Sequence, residues 1–106
     1  SLSRVGLTEQ EAREKGLKIA VVTLPVAAIP KAHVLKRPQG LLKAIVDRDS
    51  QKILGATLFC PESYEMINIV KLAMDAGLTY RSLRDQIFTH PTMSESLNDL
   101  FGQIKV

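Results

Sequence analysis

His90 and Glu95 are the residues of this sequence whose types and spacing best suit catalysis. Thr92 and Glu95 have the T-x-x-E spacing of a capping box, in which a hydroxyl and a carboxylate each accept a hydrogen bond from a backbone amide at the start of a helix. This spacing predicts that His90 lies just outside a helix N-terminus, and Pro91 biases its backbone toward an extended conformation. His90 could then serve as an acid or base, with Glu95 as the carboxylate that orients its ring.

The same residues also suit a purely structural role. A histidine followed by a proline is common in turns, and a T-x-x-E spacing often marks only a helix cap. From spacing alone, both interpretations of His90 and Glu95 stay open.

A family resemblance favours the chemical interpretation. Residues 90–95 read His-Pro-Thr-Met-Ser-Glu and resemble the His-Pro-Thr-x-x-Glu signature of the flavin-dependent pyridine nucleotide-disulfide oxidoreductases. The similarity continues in Val-Gly-Leu-Thr-Glu at 5–9, Gly-Leu-Leu-Lys at 40–43, Ile-Leu-Gly-Ala at 53–56 and Glu-Met-Ile-Asn at 65–68. On this resemblance, residues 1–106 are identified as a single C-terminal dimerisation domain, a fragment of a larger flavoenzyme of bacterial type.

The resemblance implies an enzyme that passes electrons from NAD(P)H through FAD to a redox-active cysteine pair. This domain would form the homodimer, contact the FAD and NAD domains of its own chain, and lend His90 to the partner subunit's active site. There His90 would move a proton on or off a thiol, Glu95 would accept its other ring proton, and His90 and Pro91 would lie near the partner's flavin. We expect the fragment alone to bind neither cofactor and to be inactive, since it has no G-x-G-x-x-G loop and one cysteine.

A stand-alone, non-catalytic dimerisation or interaction module is the competing interpretation, in which His90 and Glu95 form only a turn and a cap. A glycine-rich dinucleotide loop and a closely spaced cysteine pair upstream of Ser1 would decide for the enzyme. The substrate of the parent and its choice between NADH and NADPH leave no trace in this sequence.

Composition makes other classes of function poor candidates. The net charge is +3 and the 14 Lys and Arg residues are scattered, whereas a nucleic-acid surface needs a basic stripe. No apolar run is long enough to span a bilayer, so we expect no membrane partner. The resemblance implies a cytoplasmic location. His33 has no second ligand nearby, which argues against a metal site. Cys60 ends an apolar run and is expected to be a buried, inert thiol.

Hydrophobic periodicity predicts three strands and four helices. Predicted strands cover residues 17–24, 41–47 and 52–60, the last two as a hairpin. Predicted helices begin at Thr8, at 61–63, at Thr79 and at Thr92, and the first two end at Gly16 and Gly77. Thr8 and Glu11 have the T-x-x-E spacing of a second capping box. Gly55, inside the third strand, indicates a bulge or the close approach of another backbone or of a ring. The predicted fold class is α+β, an antiparallel sheet with helices packed on one side.

The long predicted helix has an apolar surface too wide for one sheet to cover. We expect one side of it to pack on the sheet and the other either to meet a second chain or to be covered by the last helices of the same domain. The predicted dimer interface consists of Met66, Ile67, Val70 and Met74.

Overall fold

The computed structural model describes residues 2–28, 40–86, 88 and 93–105. These contain an antiparallel four-stranded sheet in the order β1-β4-β3-β2. The strands are β1 (Leu2–Gly6), β2 (Ile19–Pro25), β3 (Leu41–Asp47) and β4 (Ile53–Phe59).

Four α-helices accompany the sheet in these ranges. They are α1 (Glu9–Glu14), α2 (Ser63–Asp75), α3 (Tyr80–Asp85) and α4 (Ser96–Phe101), with one-turn 3-10 helices at Val26–Ala28 and Met93–Glu95. The three predicted strands and four predicted helices are confirmed, with ends that differ by a few residues. The predicted α+β class with an antiparallel sheet is confirmed as well.

Strand β1 was missed by the sequence analysis. Its alternation puts Leu2, Arg4 and Gly6 on one face and Ser3 and Val5 on the other, so neither face reads as apolar. The strand exists because β4 supplies a pairing partner along its whole length, from Leu2 opposite Phe59 to Gly6 opposite Gly55.

Helix α1 forms where its capping residues predict it. The Thr8 hydroxyl accepts a hydrogen bond from the Glu11 amide at 3.1 Å, and the Thr8 amide donates to the Glu11 carboxylate at 2.9 Å. The backbone amide of Thr8, followed by the Thr8 side chain, lowers the pKa of the Glu11 carboxylate. At the other end, Gly16 takes φ of 75° and Leu17 donates back to the Ala12 carbonyl, which closes the helix in a Schellman motif.

The main core lies between one face of the sheet and helices α2, α3 and α4. Its fully buried residues include the inward side chains of two central strands and the apolar faces of α2 and α4: Leu42, Val46, Leu58, Met66, Val70, Leu97, Leu100 and Phe101. The helices that carry the candidate site are therefore fixed on this face.

Helix α1 lies on the opposite face of the sheet, so the prediction that the helices pack on one side is wrong for this helix. Its Ala12 packs against Ile19 and Ile45 in a second, smaller cluster. Farther along this face, Leu2, Phe59 and Leu41 are neighbours across β1, β4 and β3 and remain 61%, 51% and 44% exposed. The second face is thus covered by α1 at one end and carries an exposed apolar row at the other.

The hairpin of β3 and β4 contains a bulge next to Gly55. The register of β3 and β4 shifts between Ile45 and Val46, and the Leu7 amide donates to the Leu54 carbonyl at 2.9 Å. A Cβ atom on Gly55 would clash with the carbonyl oxygen of Leu7. Both parts of the prediction, a bulge and the close approach of another backbone, are confirmed.

Candidate functional site

The candidate site is described through the segments that precede and follow the His-Pro-Thr signature in the chain. His90, Pro91 and Thr92, together with His33, lie outside the residues that the structure describes. What the structure does describe are the entry, which is α3 with Gln86 and Phe88, and the exit, which is the 3-10 turn Met93–Glu95 continuing into α4.

Glu95 closes the 3-10 turn and stands immediately before α4, in a helical conformation with φ of −59° and ψ of −26°. If the 3-10 turn is counted as the first turn of the helix, Glu95 is its third residue, which is the position that a capping box gives to glutamate. The predicted capping box and the predicted contact with the His90 ring both involve undescribed residues and stay predictions.

The exit of the signature is anchored in the core. Met93 is 1% exposed, and the Ser96 hydroxyl, itself buried, donates to the Met93 carbonyl at 2.5 Å. One turn later Leu97, Leu100 and Phe101 fill the space between α4 and the sheet. This packing fixes the backbone that follows the signature.

The entry is anchored by a residue that the sequence analysis did not single out. The Asn98 side-chain amide on α4 donates to the carbonyls of Leu83 at 2.8 Å, Arg84 at 3.1 Å and Gln86 at 2.8 Å. The only signal in the sequence is a polar residue of low helix propensity between Leu97 and Leu100. Asn98 therefore connects the two helices that flank the signature.

A match to a protein family identifies the domain. The family model described as the pyridine nucleotide-disulphide oxidoreductase dimerisation domain matches residues 1–101. The chain belongs to this family. The family predicted from the sequence is thereby confirmed.

Among related proteins, the dimerisation domain is 67% identical over 104 residues to a probable pyridine nucleotide-disulfide oxidoreductase, RclA, of Escherichia coli strain K12, covering 98% of this chain and 24% of that protein. It is 37% identical to a mercuric reductase of Bacillus cereus, covering 92% of this chain and 15% of the relative. The solved structure of the HOCl-induced flavoprotein disulfide reductase RclA from Escherichia coli superposes with a TM-score of 0.97, at 67% identity, over 98% of this chain and 24% of that one. The dimerisation domain thus spans at most about a quarter of the length of these relatives.

The predicted dimer interface needs a correction at two positions. Met66 and Val70 have no exposed surface because the helical period turns them toward the sheet, so they form part of the dimerisation domain's own core. Ile67 and Met74 are partly buried against that core. The surface that α2 presents outward is instead a stripe at i, i+4 and i+8 formed by Tyr64, Asn68 and Leu72, of which Tyr64 is 60% and Leu72 70% exposed.

Cys60 is a structural thiol in the dimerisation domain. It is 3% exposed, its sulfur lies 3.7 Å from that of Met66, and burial raises its pKa to about 11. The thiol is therefore protonated at neutral pH and a poor nucleophile. The predicted burial of Cys60 is confirmed, and the raised pKa supports the prediction that its thiol is inert.

Other kinds of site find little support in the part of the chain that the structure describes. Within it, no group of three or more His, Cys, Asp and Glu residues could hold a metal ion, and no helix could cross a membrane. A groove lies against α1, lined by Thr8, Glu9, Gln10, Arg13, Glu14 and Lys43. Its Glu9 is paired with Lys43 at 2.8 Å and Arg13 at 2.9 Å, and these partners, Lys43 first, lower its pKa.

Proposed function

We propose that this domain belongs to an NAD(P)H-dependent flavin disulfide reductase and supplies His90 and Glu95 as an acid–base pair to the redox disulfide of the partner subunit. The observation that carries the proposal is the family match over residues 1–101, which includes the complete His-Pro-Thr-Met-Ser-Glu signature. The 67% identity to a flavoprotein disulfide reductase supports the same assignment.

The chemistry needs a proton carrier beside sulfur. In disulfide reduction an enzyme thiolate attacks one sulfur of the substrate, the substrate S–S bond breaks, and the departing thiolate takes a proton from His90. The second enzyme thiol then gives its proton to His90 and attacks the mixed disulfide, which closes the enzyme disulfide. The second product leaves as a thiolate and takes that proton back from His90. An unperturbed imidazole has a pKa of about 6.5 and suits both transfers at neutral pH.

We assign to Glu95 the role of holding the imidazole ring of His90 in one orientation and tautomer. A carboxylate that accepts the second ring N–H selects one tautomer and stabilises the imidazolium. Glu95 is suited to this because it follows Met93, which is buried, and precedes α4, which the core holds in place. FAD and NAD(P)H, bound by the other domains of the chain, would supply the two electrons that keep the cysteine pair reduced. Because NAD(P)H is the reductant, we place the parent enzyme in the cytoplasm.

Among the described residues, two exposed surfaces carry large apolar side chains that suit the contacts this function requires. We assign the α2 stripe of Tyr64, Asn68 and Leu72 to the second copy, because an aromatic and a leucine on successive turns suit the packing of two helices. The row of Leu2, Phe59 and Leu41 on the other face is then left for the FAD and NAD domains of the same chain.

Replacing Leu72 with aspartate is expected to abolish self-association of the 106-residue chain, because a carboxylate would be buried against its counterpart in the second copy. Sedimentation velocity at about tens of micromolar, where weak dimers form, measures the result. Leu2→Asp is the matched control, since Leu2 is similarly exposed at 61% against 70% for Leu72 but lies on the other face. A wild-type chain that remains monomeric, or equal loss of dimer in both variants, would contradict the assignment of α2.

Replacing Glu95 with glutamine separates orientation of His90 from helix capping, because a capping box accepts either side chain whereas an imidazolium favours the carboxylate. We expect turnover of the full-length enzyme to fall and the acid limb of its pH–rate profile to move to lower pH. The melting curve should hardly change, since the charge–dipole contribution is about 0.3 to 1 kcal/mol. An unchanged turnover rate and an unchanged pH–rate profile would mean that Glu95 has only a structural role.

A further inference from the structure

We propose that Asn98 is a positioning residue for the acid–base pair, because its side-chain amide fixes the chain that enters the signature to the helix that leaves it. The proposal rests on the function proposed for His90 above. It concerns the geometry of the signature and involves no contact between Asn98 and the substrate.

The last carbonyl groups of α3 accept hydrogen bonds from a side chain that lies outside the helix. Helices α1 and α2 each end at a glycine with positive φ, Gly16 and Gly77, and amides that follow each helix donate back to its last carbonyls. Helix α3 ends without a glycine, and Gln86 leaves it in an extended conformation with φ of −63° and ψ of 140°. The last carbonyls of a helix have no partners within it, and here they receive the side chain of Asn98.

Asn98 also holds the first residue beyond α3. Its nitrogen lies 2.8 Å from the Gln86 carbonyl oxygen, and Gln86 precedes His90 by four residues. The two amide hydrogens thus serve three acceptors within 3.1 Å. Together they set both the direction in which the chain leaves α3 and its separation from α4.

The helix that carries Asn98 is itself immobilised. Leu97 and Phe101 are fully buried, and the Ser96 hydroxyl binds the Met93 carbonyl. Asn98 therefore links the segment that precedes the signature to α4, the same helix that fixes the segment that follows it. Removing the amide would release the entry alone, so we expect a misplaced imidazole in a domain that still folds.

The test uses the full-length enzyme and two disulfide probes. Bis(2-hydroxyethyl) disulfide releases a basic alkyl thiolate that needs a proton, whereas 5,5′-dithiobis(2-nitrobenzoic acid) releases an aryl thiolate that leaves without one. We expect Asn98→Ala and Asn98→Asp to slow reoxidation of the reduced enzyme by the alkyl disulfide about 10- to 100-fold, the size of effect that a misplacement of about 1 Å produces. Reoxidation by the aryl disulfide and reduction of the flavin by NAD(P)H should keep wild-type rates.

Asp99→Ala is the matched control, because Asp99 is the exposed neighbour of Asn98 on α4, and it should behave as wild type. Equal slowing with both disulfides in the Asn98 variants would reduce the residue to a structural support and overturn the proposal. His90→Ala is measured alongside. If reoxidation by the alkyl disulfide is slowed in His90→Ala but not in the Asn98 variants, the inference fails and the proposed function stands. If His90→Ala does not change this rate, the proposed function itself fails.

Discussion

Replacing His90 with alanine in the full-length enzyme is expected to slow disulfide reduction by about 10²- to 10⁴-fold, the usual contribution of a positioned acid or base. Reduction of the flavin by NAD(P)H should continue at its normal rate, because hydride transfer does not involve this proton. The departing thiolate is a poor leaving group without a proton donor, so the lost rate belongs to the thiol–disulfide step.

Stopped-flow measurements resolve the two half-reactions of this variant. The other histidine of the chain, His33, provides the control: it has no assigned role, and His33→Ala should leave both half-reactions unchanged. Slowing of both half-reactions in His90→Ala by the same factor, or of neither, would contradict the assignment.

Replacing Phe101 with alanine is expected to lower the free energy of unfolding of the domain by about 3 to 5 kcal/mol, the cost of removing a fully buried aromatic side chain and leaving a cavity. Phe101 has no exposed surface and belongs to the cluster that holds α4 against the sheet. Since α4 directly follows the signature, this core residue contributes to the site as well as to stability.

Urea unfolding of the 106-residue chain measures this loss. Phe59→Ala is a matched control, because it removes the same atoms from a side chain that is 51% exposed on the other face of the sheet. It should cost much less than Phe101→Ala. Equal costs for the two variants would mean that the α4 core is less tightly packed than the structure has it.

Local signals explain why so much of the fold was predictable from the sequence. The capping box of Thr8 and Glu11 and the glycines at 16 and 77 depend on contacts within a few residues, and each forms as predicted. The hairpin of β3 and β4 is also local, because a short turn joins its strands. The bulge at Gly55 has a direct signal in the sequence, since a glycine inside a strand marks the approach of another backbone.

Features that depend on residues far apart in the chain could not be predicted from the sequence. Strand β1 has no alternating pattern of its own and is fixed by its pairing with β4, from Leu2 opposite Phe59 to Gly6 opposite Gly55. The buried faces of Met66 and Val70 were assigned to a partner chain, because an apolar helix surface does not reveal which side its own sheet covers. The role of Asn98 follows from carbonyls 12 to 15 residues earlier in the chain.

The candidate site shows the same division. The signature was recognised from residues 90–95, and the family match extends over it. The anchors on both of its sides, Ser96 and Asn98, emerge only from the packed structure, because each acts through a backbone carbonyl that the sequence does not identify.

The central claim is that His90 serves the active site of the other subunit, and a mixed dimer tests it most directly. One subunit carries His90→Ala with its redox cysteines intact, and the other carries His90 with a redox cysteine replaced by serine; two different affinity tags isolate the mixed species. If His90 acts across the interface, one of the two sites is complete, and the mixed dimer should show about half of the wild-type turnover while each parent homodimer is nearly inactive. A mixed dimer as inactive as its parents, with the tags proving its composition, would contradict the account.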